Sequence, residues 1–318
     1  MKIQLYNLWH NGDVFSGRGY IKELIKQLPE AKIAYYHTNN KKIVADLVPH
    51  GLLAKLQRWQ LDQLNYRKFA EIDGIIYINT WVGTYFYQNK SALQDYPDAI
   101  VNLIGEGHAN YRSLHLIYQF IFSTLNEKYN LNLKLSDNPL DYIPEINWKH
   151  YEVDKADVFV SNVNAPINLF CNGAVKSYQS GVGNMQDMIE YLAKRFPNER
   201  FVCTEKFNTS IENIYFTQNI FGLESDINEI AYLSTKCKMI VGKNSGPFMF
   251  THTKDNINNA NKAFVALSSN VSDCYPHHMS NLTCKYFFTK STEPKLICNL
   301  ILSAMRSLNG SIMNLSEI

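Results

Sequence analysis

Residues Met1 to His37 read MKIQLYNLWHNGDVFSGRGYIKELIKQLPEAKIAYYH, and their pattern predicts the fold class. An apolar strand pattern at Ile3–Leu8 is followed by a helix pattern, and then by a second strand pattern at Lys32–His37. The apolar residues of the helix recur at the spacing of one helical face, and Pro29 ends it. Strand, helix and strand in this order predict a β-α-β unit, whose two strands are parallel.

The same alternation continues along the chain and predicts two domains. Further strand patterns occupy Gly74–Asn79, Ala99–Ile104, Val158–Ser161, Phe201–Thr204, Met239–Val241, Ala263–Leu267 and Lys285–Phe288. Between residues 132 and 154 the periodicity fails and two prolines interrupt polar sequence, which is typical of a crossing between domains. The sequence therefore predicts an α/β protein of two tandem Rossmann-like domains, residues 1–154 and 155–318, with a cleft between them.

Composition narrows the class of protein. The 318 residues are 46% hydrophobic and 19% charged, which is typical of a folded protein, and the net charge of +2 does not favour nucleic acid as a partner. The chain enters a strand pattern at once, without the pattern of a secretory leader, so we expect a cytoplasmic protein. All six cysteines lie in the second half without a C-x-x-C pair, which predicts reduced thiols.

The first candidate site follows the first strand. The segment HNGDVFSGRGY, from His10 to Tyr20, leaves the carboxyl end of that strand, where ligands bind in open α/β sheets. Its three glycines would let the backbone approach a ligand. Asp13 is positioned to remove a proton from a sugar hydroxyl that acts as the acceptor of a transferred group. Asn11, Gly12 and Arg18 are candidates to contact that acceptor. A turn with a helix-capping acid would explain Asp13 equally well.

Two more candidate groups lie in the first half. Glu106 and His108 stand in a glycine-flanked segment between a strand pattern and a helix pattern, where they could hold the acceptor or assist proton transfer. A glycine-bounded turn with a solvated glutamate is the alternative. Trp81, with Tyr85 and Tyr87, could stack on a sugar ring, although aromatic residues so spaced also serve ordinary packing.

The second half carries a candidate anion site. The segment VGKNSGP at residues 241–247 follows a buried strand pattern and precedes a helix. Lys243, Asn244, Ser245 and Gly246 could bind a diphosphate through their side chains and amides. A sharp Gly-Pro turn without a ligand is the alternative reading.

Residues after the neighbouring strands are candidates for further contacts with the molecule that carries the diphosphate. Asn172 and Lys176 could contact phosphate, and Glu205 could hold ribose hydroxyls, unless it is a surface carboxylate. A loose group of cysteines and histidines has no compact ligand pair, so we expect no metal site: Cys274, His277, His278 and Cys284.

Taken together, these residues resemble the heptosyltransferases, glycosyltransferases of the GT-B architecture. Gly12-Asp13-Val14 is similar to the family's opening Gly-Asp loop, and Gly242 to Pro247 is similar to its G-N-D-S-G-P loop. The resemblance implies an inverting, metal-independent sugar transfer with Asp13 as general base and without a cofactor. It also implies a nucleoside-diphosphate sugar as donor and a glycan or glycolipid as acceptor, and it leaves peripheral membrane contact open.

The sequence departs from the family at positions that bear on the donor. Asn244 stands where the family has an acid, and Met249 stands where a histidine usually follows. The proline expected shortly after Asp13 is missing. The resemblance therefore implies the fold and the reaction class but does not imply ADP-heptose as the donor.

Other functions on the same architecture compete with this one. A polysaccharide pyruvyl transferase would share the opening but needs an Arg-x-His pair that the second half lacks. A sugar-nucleotide epimerase stays open because Glu106, His108 and Glu205 could supply its acids and histidine. A non-catalytic binding protein is favoured by Asn244 and Met249 and disfavoured by Asp13. A nicotinamide-dependent oxidoreductase is disfavoured because no dinucleotide fingerprint follows either first strand.

Overall fold

The chain forms two compact units in a computed structural model, Met1–Ile146 and Asn147–Ile318. The division falls within the segment 132–154, in which the sequence predicts a domain crossing. The structure describes residues 1–7, 11–37, 42–47, 64, 67–81, 84–85, 111–175, 180–222, 227–269 and 282–308. The predicted strand Ala99–Ile104 lies outside these ranges.

The first unit contains a four-stranded sheet among its described residues. Its strands are β1 (Lys2–Asn7), β2 (Lys32–His37), β3 (Phe69–Ile72) and β4 (Ile75–Asn79), in the order β2-β1-β4-β3. β1 pairs with β2 and β4 in parallel, which confirms the predicted β-α-β unit. Its helices are α1 (Asn11–Ser16), α2 (Arg18–Gln27) and α3 (Tyr111–Tyr129), followed by a 3₁₀ turn at Pro139–Tyr142.

β3 is not among the predicted strands, and it runs antiparallel to β4. The two strands are joined by Asp73 and Gly74, whose φ angles are 53° and 71°. Positive φ at both positions is what a two-residue hairpin turn requires, and Asp-Gly is a favoured pair for it. That dipeptide was the available signal for this hairpin.

The second unit contains a six-stranded sheet whose pairings are all parallel among the described residues. Its strands are β5 (Ile167–Cys171), β6 (Arg200–Cys203), β7 (Ile214–Phe216), β8 (Met239–Lys243), β9 (Ala263–Leu267) and β10 (Lys285–Thr289), in the order β10-β9-β8-β5-β6-β7. Its helices are α4 (Asp154–Val163), α5 (Gln186–Arg195), α6 (Thr217–Phe221), α7 (Ile227–Lys236), α8 (Gly246–Met249), α9 (Lys254–Ile257) and α10 (Pro294–Leu308). The predicted α/β class with two Rossmann-like parts is confirmed.

One predicted strand is wrong, because residues Val158–Ser161 lie inside helix α4. Two acids, Asp154 and Asp157, stand in the first turn of α4, where the helix dipole favours negative charge. Asn164 ends the helix in the left-handed conformation with a φ of 38°. The strand of this region is β5 instead, which is buried along its whole length at the centre of the sheet.

The core of the second unit lies around the central strands and α10. Every residue of β5, β8 and β9 is buried, as expected for parallel strands covered on both faces. From α10, Ile297, Ile301 and Ala304 join this core. None of the described helices of the chain is long and apolar enough to cross a membrane.

Candidate functional site

The second unit brings several predicted site residues to one edge of its sheet. β5, β6 and β8 are neighbours and run parallel, so the residues after their carboxyl ends lie along the same edge. Asn172 follows β5, Glu205 follows Thr204 after β6, and Lys243 is the last residue of β8. The sheet topology therefore brings together residues that are far apart in the sequence.

Asn172 joins the two loops at this edge. Its side-chain Nδ2 donates to the carbonyl of Glu205 at 3.0 Å, and its Oδ1 accepts from the backbone N–H of Glu205 at 2.8 Å. The amide is thus used to hold the loop after β6 against the end of β5. This gives Asn172 a role in loop positioning, and its direct contact with phosphate stays a prediction.

Lys243 is a buried cation at the end of β8, only 6% exposed. Within the described part of the chain, no residue forms a hydrogen bond or an ion pair with its ammonium group. Burial lowers the pKa of Lys243, and the charge of Glu205 opposes that shift. A buried ammonium group is costly without a counter-charge, so this position is suited to hold an anion.

The segment after Lys243 is a tight turn into the short helix α8. The backbone N–H of Asn244 donates to the carbonyl of Leu267 in β9 at 3.2 Å, and the Asn244 residue is buried. Ser245 precedes α8 in an extended conformation, and its Oγ is buried without a hydrogen-bond partner. A hydroxyl in that state is available to a ligand, because buried polar groups are normally hydrogen-bonded.

Gly242, within β8, is required by packing. A Cβ atom at this position would overlap with the ring of Phe248, which is fully buried. By contrast, no atom lies within 4 Å of a Cβ placed on Gly246. The glycine at 242 therefore allows close packing of β8 against Phe248 of α8, whereas the space at Gly246 is open.

In the first unit, the segment 11–20 is helical, and this corrects the expected glycine-rich loop. Asn11 to Ser16 form α1, and α2 begins at Arg18. Gly17 and Gly19 do not open the backbone to a ligand, because side chains there would collide with Tyr118 and Tyr142. Both glycines are packing residues of the first unit.

Arg18 also has a structural role, and its assignment as an acceptor contact is corrected. It is fully buried, and its Nη2 lies 2.5 Å from Oδ2 of Asp46. The guanidinium also donates to the carbonyl of Ile43 and, at 3.4 Å, to that of Glu145. A planar, permanently charged group with several donors is suited to such a buried junction.

Asp13 lies in the first turn of α1 and is half-buried. Its negative charge contributes to raising the pKa of two buried phenols, Tyr35 and Tyr118, for which burial is the larger cause. Two residues earlier, Oδ1 of Asn11 is buried without a hydrogen-bond partner. Asp13, the neighbouring Gly12 and Asn11 thus remain together at the carboxyl end of β1, as predicted.

The aromatic candidates of the first unit behave differently from one another. Tyr85 is buried, its hydroxyl donates to the carbonyl of Asn79 at 2.7 Å, and its ring meets that of Phe120 edge-on, so it is a packing residue. Trp81 is half-buried, and its backbone N–H donates to Oδ1 of Asn79 at 2.9 Å. Trp81 therefore keeps its place at the end of β4, where stacking on a sugar remains a prediction.

Several predicted residues lie outside the described residues and stay predictions. They are Tyr87, Glu106, His108, Lys176, Cys274, His277 and His278. Cys284 is described, and burial raises the pKa of its thiol to about 11. In the ranges given above, no three His, Cys, Asp or Glu side chains are grouped so that they could hold a metal ion.

Comparison with known proteins identifies the fold. No protein-family model and no curated protein matches the sequence. Among solved structures, E. coli heptosyltransferase WaaC with ADP has a TM-score of 0.51 at 10% identity, over 98% of this chain and 98% of that chain. E. coli ADP-heptose lps heptosyltransferase II has a TM-score of 0.47 at 12% identity, over 97% and 100% of the two chains. UDP-GlcNAc 2-epimerase from Neisseria meningitidis, bound to UDP-GlcNAc, has a TM-score of 0.45 at 11% identity, over 98% and 93%.

The likeness to WaaC extends over nearly the full length of both chains. It bears out the expected resemblance at the level of the fold: the chain has the two-part Rossmann-like fold of a heptosyltransferase. The residues that act within this fold have to be argued from the site itself, since one fold hosts many functions.

Proposed function

We propose that this protein is a glycosyltransferase that moves a sugar from a nucleoside-diphosphate donor to a hydroxyl of a glycan or glycolipid. The observation that carries the proposal is Lys243, a buried cation at the carboxyl end of β8 that forms no hydrogen bond or ion pair with the described residues. A buried cation favours a ligand with negative charge, and a diphosphate carries more than one negative charge.

The surroundings of Lys243 suit a nucleotide better than an isolated anion. Ser245 has a buried Oγ without a partner, and Glu205 lies close enough for its charge to act on Lys243. In the proposal, Lys243 and Ser245 bind the diphosphate, while the exposed carboxylate of Glu205 accepts hydrogen bonds from ribose hydroxyls. WaaC, which shares the fold, was solved with ADP, and this supports a nucleotide as the ligand.

The proposed reaction is inverting and needs neither a metal ion nor a cofactor. Asp13 takes the proton of the acceptor hydroxyl, and the acceptor oxygen then forms a bond to the anomeric carbon. The bond from that carbon to the diphosphate oxygen breaks, and its electron pair leaves with the nucleoside diphosphate. The positive charge of Lys243 stabilises the charge that develops on the leaving oxygen.

Calorimetric titration with ADP, UDP, GDP, CDP and dTDP tests the donor site. Lys243→Met should weaken binding of the preferred nucleotide by about 10- to 100-fold, the range expected for a lost charge-assisted hydrogen bond. Lys194→Met is the matched control, because Lys194 is an exposed lysine of α5, and it should bind as the wild type does. Equal affinity of the wild type and Lys243→Met, or no binding of any nucleotide, would overturn the donor site.

Turnover separates a transferase from a protein that only binds nucleotides. Release of nucleoside diphosphate from the matching nucleotide sugars is measured with p-nitrophenyl glycosides as acceptors. Asp13→Asn should slow turnover by about 10²- to 10⁴-fold, the usual contribution of a general base, while nucleotide affinity stays unchanged. Nucleotide binding with no turnover in the wild type would instead favour a protein that only binds nucleotides.

A further inference from the structure

Tyr118 is a rigidly held side chain of the first unit. It lies on α3 and is 1% exposed. Its ring stacks on that of Tyr20 with centroids 4.5 Å apart and an interplanar angle of 6°, and Tyr20 stacks in turn on Tyr142 at 4.4 Å. A ring in the middle of such packing has little freedom to change rotamer, so its hydroxyl has a defined position.

The Tyr118 hydroxyl differs from those of other buried tyrosines nearby. The hydroxyl of Tyr20 lies 3.2 Å from Nδ1 of His115, that of Tyr35 lies 2.7 Å from Oγ1 of Thr80, and that of Tyr142 accepts from the N–H of Ser136 at 2.6 Å. Among the described residues, none makes a hydrogen bond to the Tyr118 hydroxyl. Buried phenols usually have a partner, so this one calls for an explanation.

Gly17 shows where this hydroxyl lies. A Cβ atom on Gly17 would be 2.5 Å from the Tyr118 hydroxyl oxygen and 3.2 Å from the carbonyl oxygen of Asp13. The N–H of Gly17 donates to that same carbonyl at 3.0 Å. The hydroxyl is therefore placed against the junction of α1 and α2, one helical turn from Asp13, in space that a side chain at position 17 would fill.

The charge of Asp13 acts on this phenol. It adds to the effect of burial in raising the pKa of Tyr118, so the hydroxyl keeps its proton near neutral pH. No hydrogen bond joins the two side chains directly. A protonated phenol can donate to an oxygen atom of a ligand while a carboxylate accepts from the same oxygen.

We propose that the Tyr118 hydroxyl binds the attacking hydroxyl of the acceptor and positions it beside Asp13. This inference rests on the proposed function, in which Asp13 is the base. Tyr118 donates its O–H to one lone pair of the acceptor oxygen, and the acceptor donates its own O–H to Asp13. The remaining lone pair forms the bond to the anomeric carbon, the acceptor proton passes to Asp13, and Tyr118 keeps its proton throughout.

The test compares two variants that each remove one hydroxyl from the same aromatic stack. Tyr118→Phe removes a hydroxyl that makes no hydrogen bond to the described residues, and Tyr20→Phe removes one that lies against His115. Each variant is measured for thermal unfolding, for nucleotide affinity by calorimetry, and for transfer from nucleotide sugars to p-nitrophenyl glycosides. The kcat/KM values for donor and acceptor are determined separately.

Tyr118→Phe should keep the melting temperature and nucleotide affinity of the wild type. Its kcat/KM for the acceptor should fall by about 10-fold, in line with the loss of one hydrogen bond to the ligand. Tyr20→Phe should unfold at a lower temperature, with an acceptor kcat/KM close to that of the wild type. If Tyr118 had only a structural role, Tyr118→Phe would not lower the acceptor kcat/KM while keeping the melting temperature of the wild type.

Two outcomes would overturn the inference, and they are distinguishable. If Asp13→Asn abolishes transfer but Tyr118→Phe leaves the acceptor kcat/KM unchanged, the proposed function stands and the role of Tyr118 is wrong. If the wild type binds no nucleotide and transfers no sugar, the proposed function and the role of Tyr118 fail together.

Discussion

Gly19 of α2 lies directly against the backbone of Tyr142, so that a Cβ atom on Gly19 would overlap with the Tyr142 carbonyl. The carbonyl belongs to the 3₁₀ turn that follows α3, and the contact sets how closely this turn approaches α2. Because the neighbour is backbone, a rotamer change cannot relieve the overlap.

Gly19→Ala should therefore destabilise the protein. Alanine gains about 1 kcal/mol over glycine from helix propensity, whereas overpacking against backbone costs about 3 kcal/mol. We therefore expect a net loss of about 2 kcal/mol in the free energy of unfolding. Urea unfolding measures it. Gly183→Ala is the control, because no atom lies within 4 Å of a Cβ there, and it should cause no loss. Equal stability of the two variants would contradict the packing argument.

Arg18→Met should cost about 3 to 5 kcal/mol of unfolding free energy, because it removes the guanidinium partner of a carboxylate that is 2% exposed. The exposed pair Lys22–Glu145, at 3.0 Å, offers the matched comparison, and Lys22→Met should cost less than about 1 kcal/mol. Chemical denaturation of both variants checks the difference. The double variant Arg18→Met/Asp46→Leu should recover part of the loss, since it removes both charges of the buried pair.

The contribution of Lys262 to stability should rise with pH in the alkaline range. Burial lowers its pKa to about 8, while its ammonium donates to the carbonyls of Ser234 and Thr235 at the end of α7, at 2.7 and 2.9 Å. The unfolded chain, with a pKa near 10.5, therefore holds this proton more tightly than the native chain. Between these two pH values the contribution of Lys262 to the unfolding free energy should increase by about 3 kcal/mol in total.

Comparison of the wild type with Lys262→Met isolates this contribution, because the other titrating groups are common to both proteins. The difference in unfolding free energy should grow in favour of the wild type from pH 8 to pH 10. Parallel stability curves over that range would show that Lys262 does not titrate there.

Nucleotide binding should weaken as pH rises, because the proposed diphosphate contact needs a charged Lys243. Burial lowers the pKa of this lysine, so the loss of affinity should begin at a lower pH than for an exposed lysine. Lys243→Arg keeps its charge throughout and should flatten the alkaline part of the curve. Calorimetric titration between pH 7 and pH 10 measures both proteins. If the two curves fall together, another group controls the pH dependence.

The candidate site was predictable where a strand pattern runs directly into polar residues. Lys243, Glu205 and Asp13 each follow an apolar strand pattern, and parallel strands place such residues at the carboxyl edge of their own sheet. The roles of Asn172 and Arg18 were not predictable, because their partners Glu205 and Asp46 lie 33 and 28 positions away in the sequence. Tyr118 gave no local signal at all, since its environment is formed by α1 and α2.

Local sequence patterns were enough to predict the α/β class, the presence of two parts and strands such as β1, β2, β8 and β9. Hydrophobic periodicity and helix-ending residues are local properties of the chain. Tertiary structure alone decided that Val158–Ser161 is helix and Ile167–Cys171 is the central strand. It also decided that Gly17 and Gly19 serve packing, and that the lysine at the end of β8 is buried. The reason is physical: overlap, burial and charge compensation depend on atoms that the fold brings close, and local sequence does not contain them.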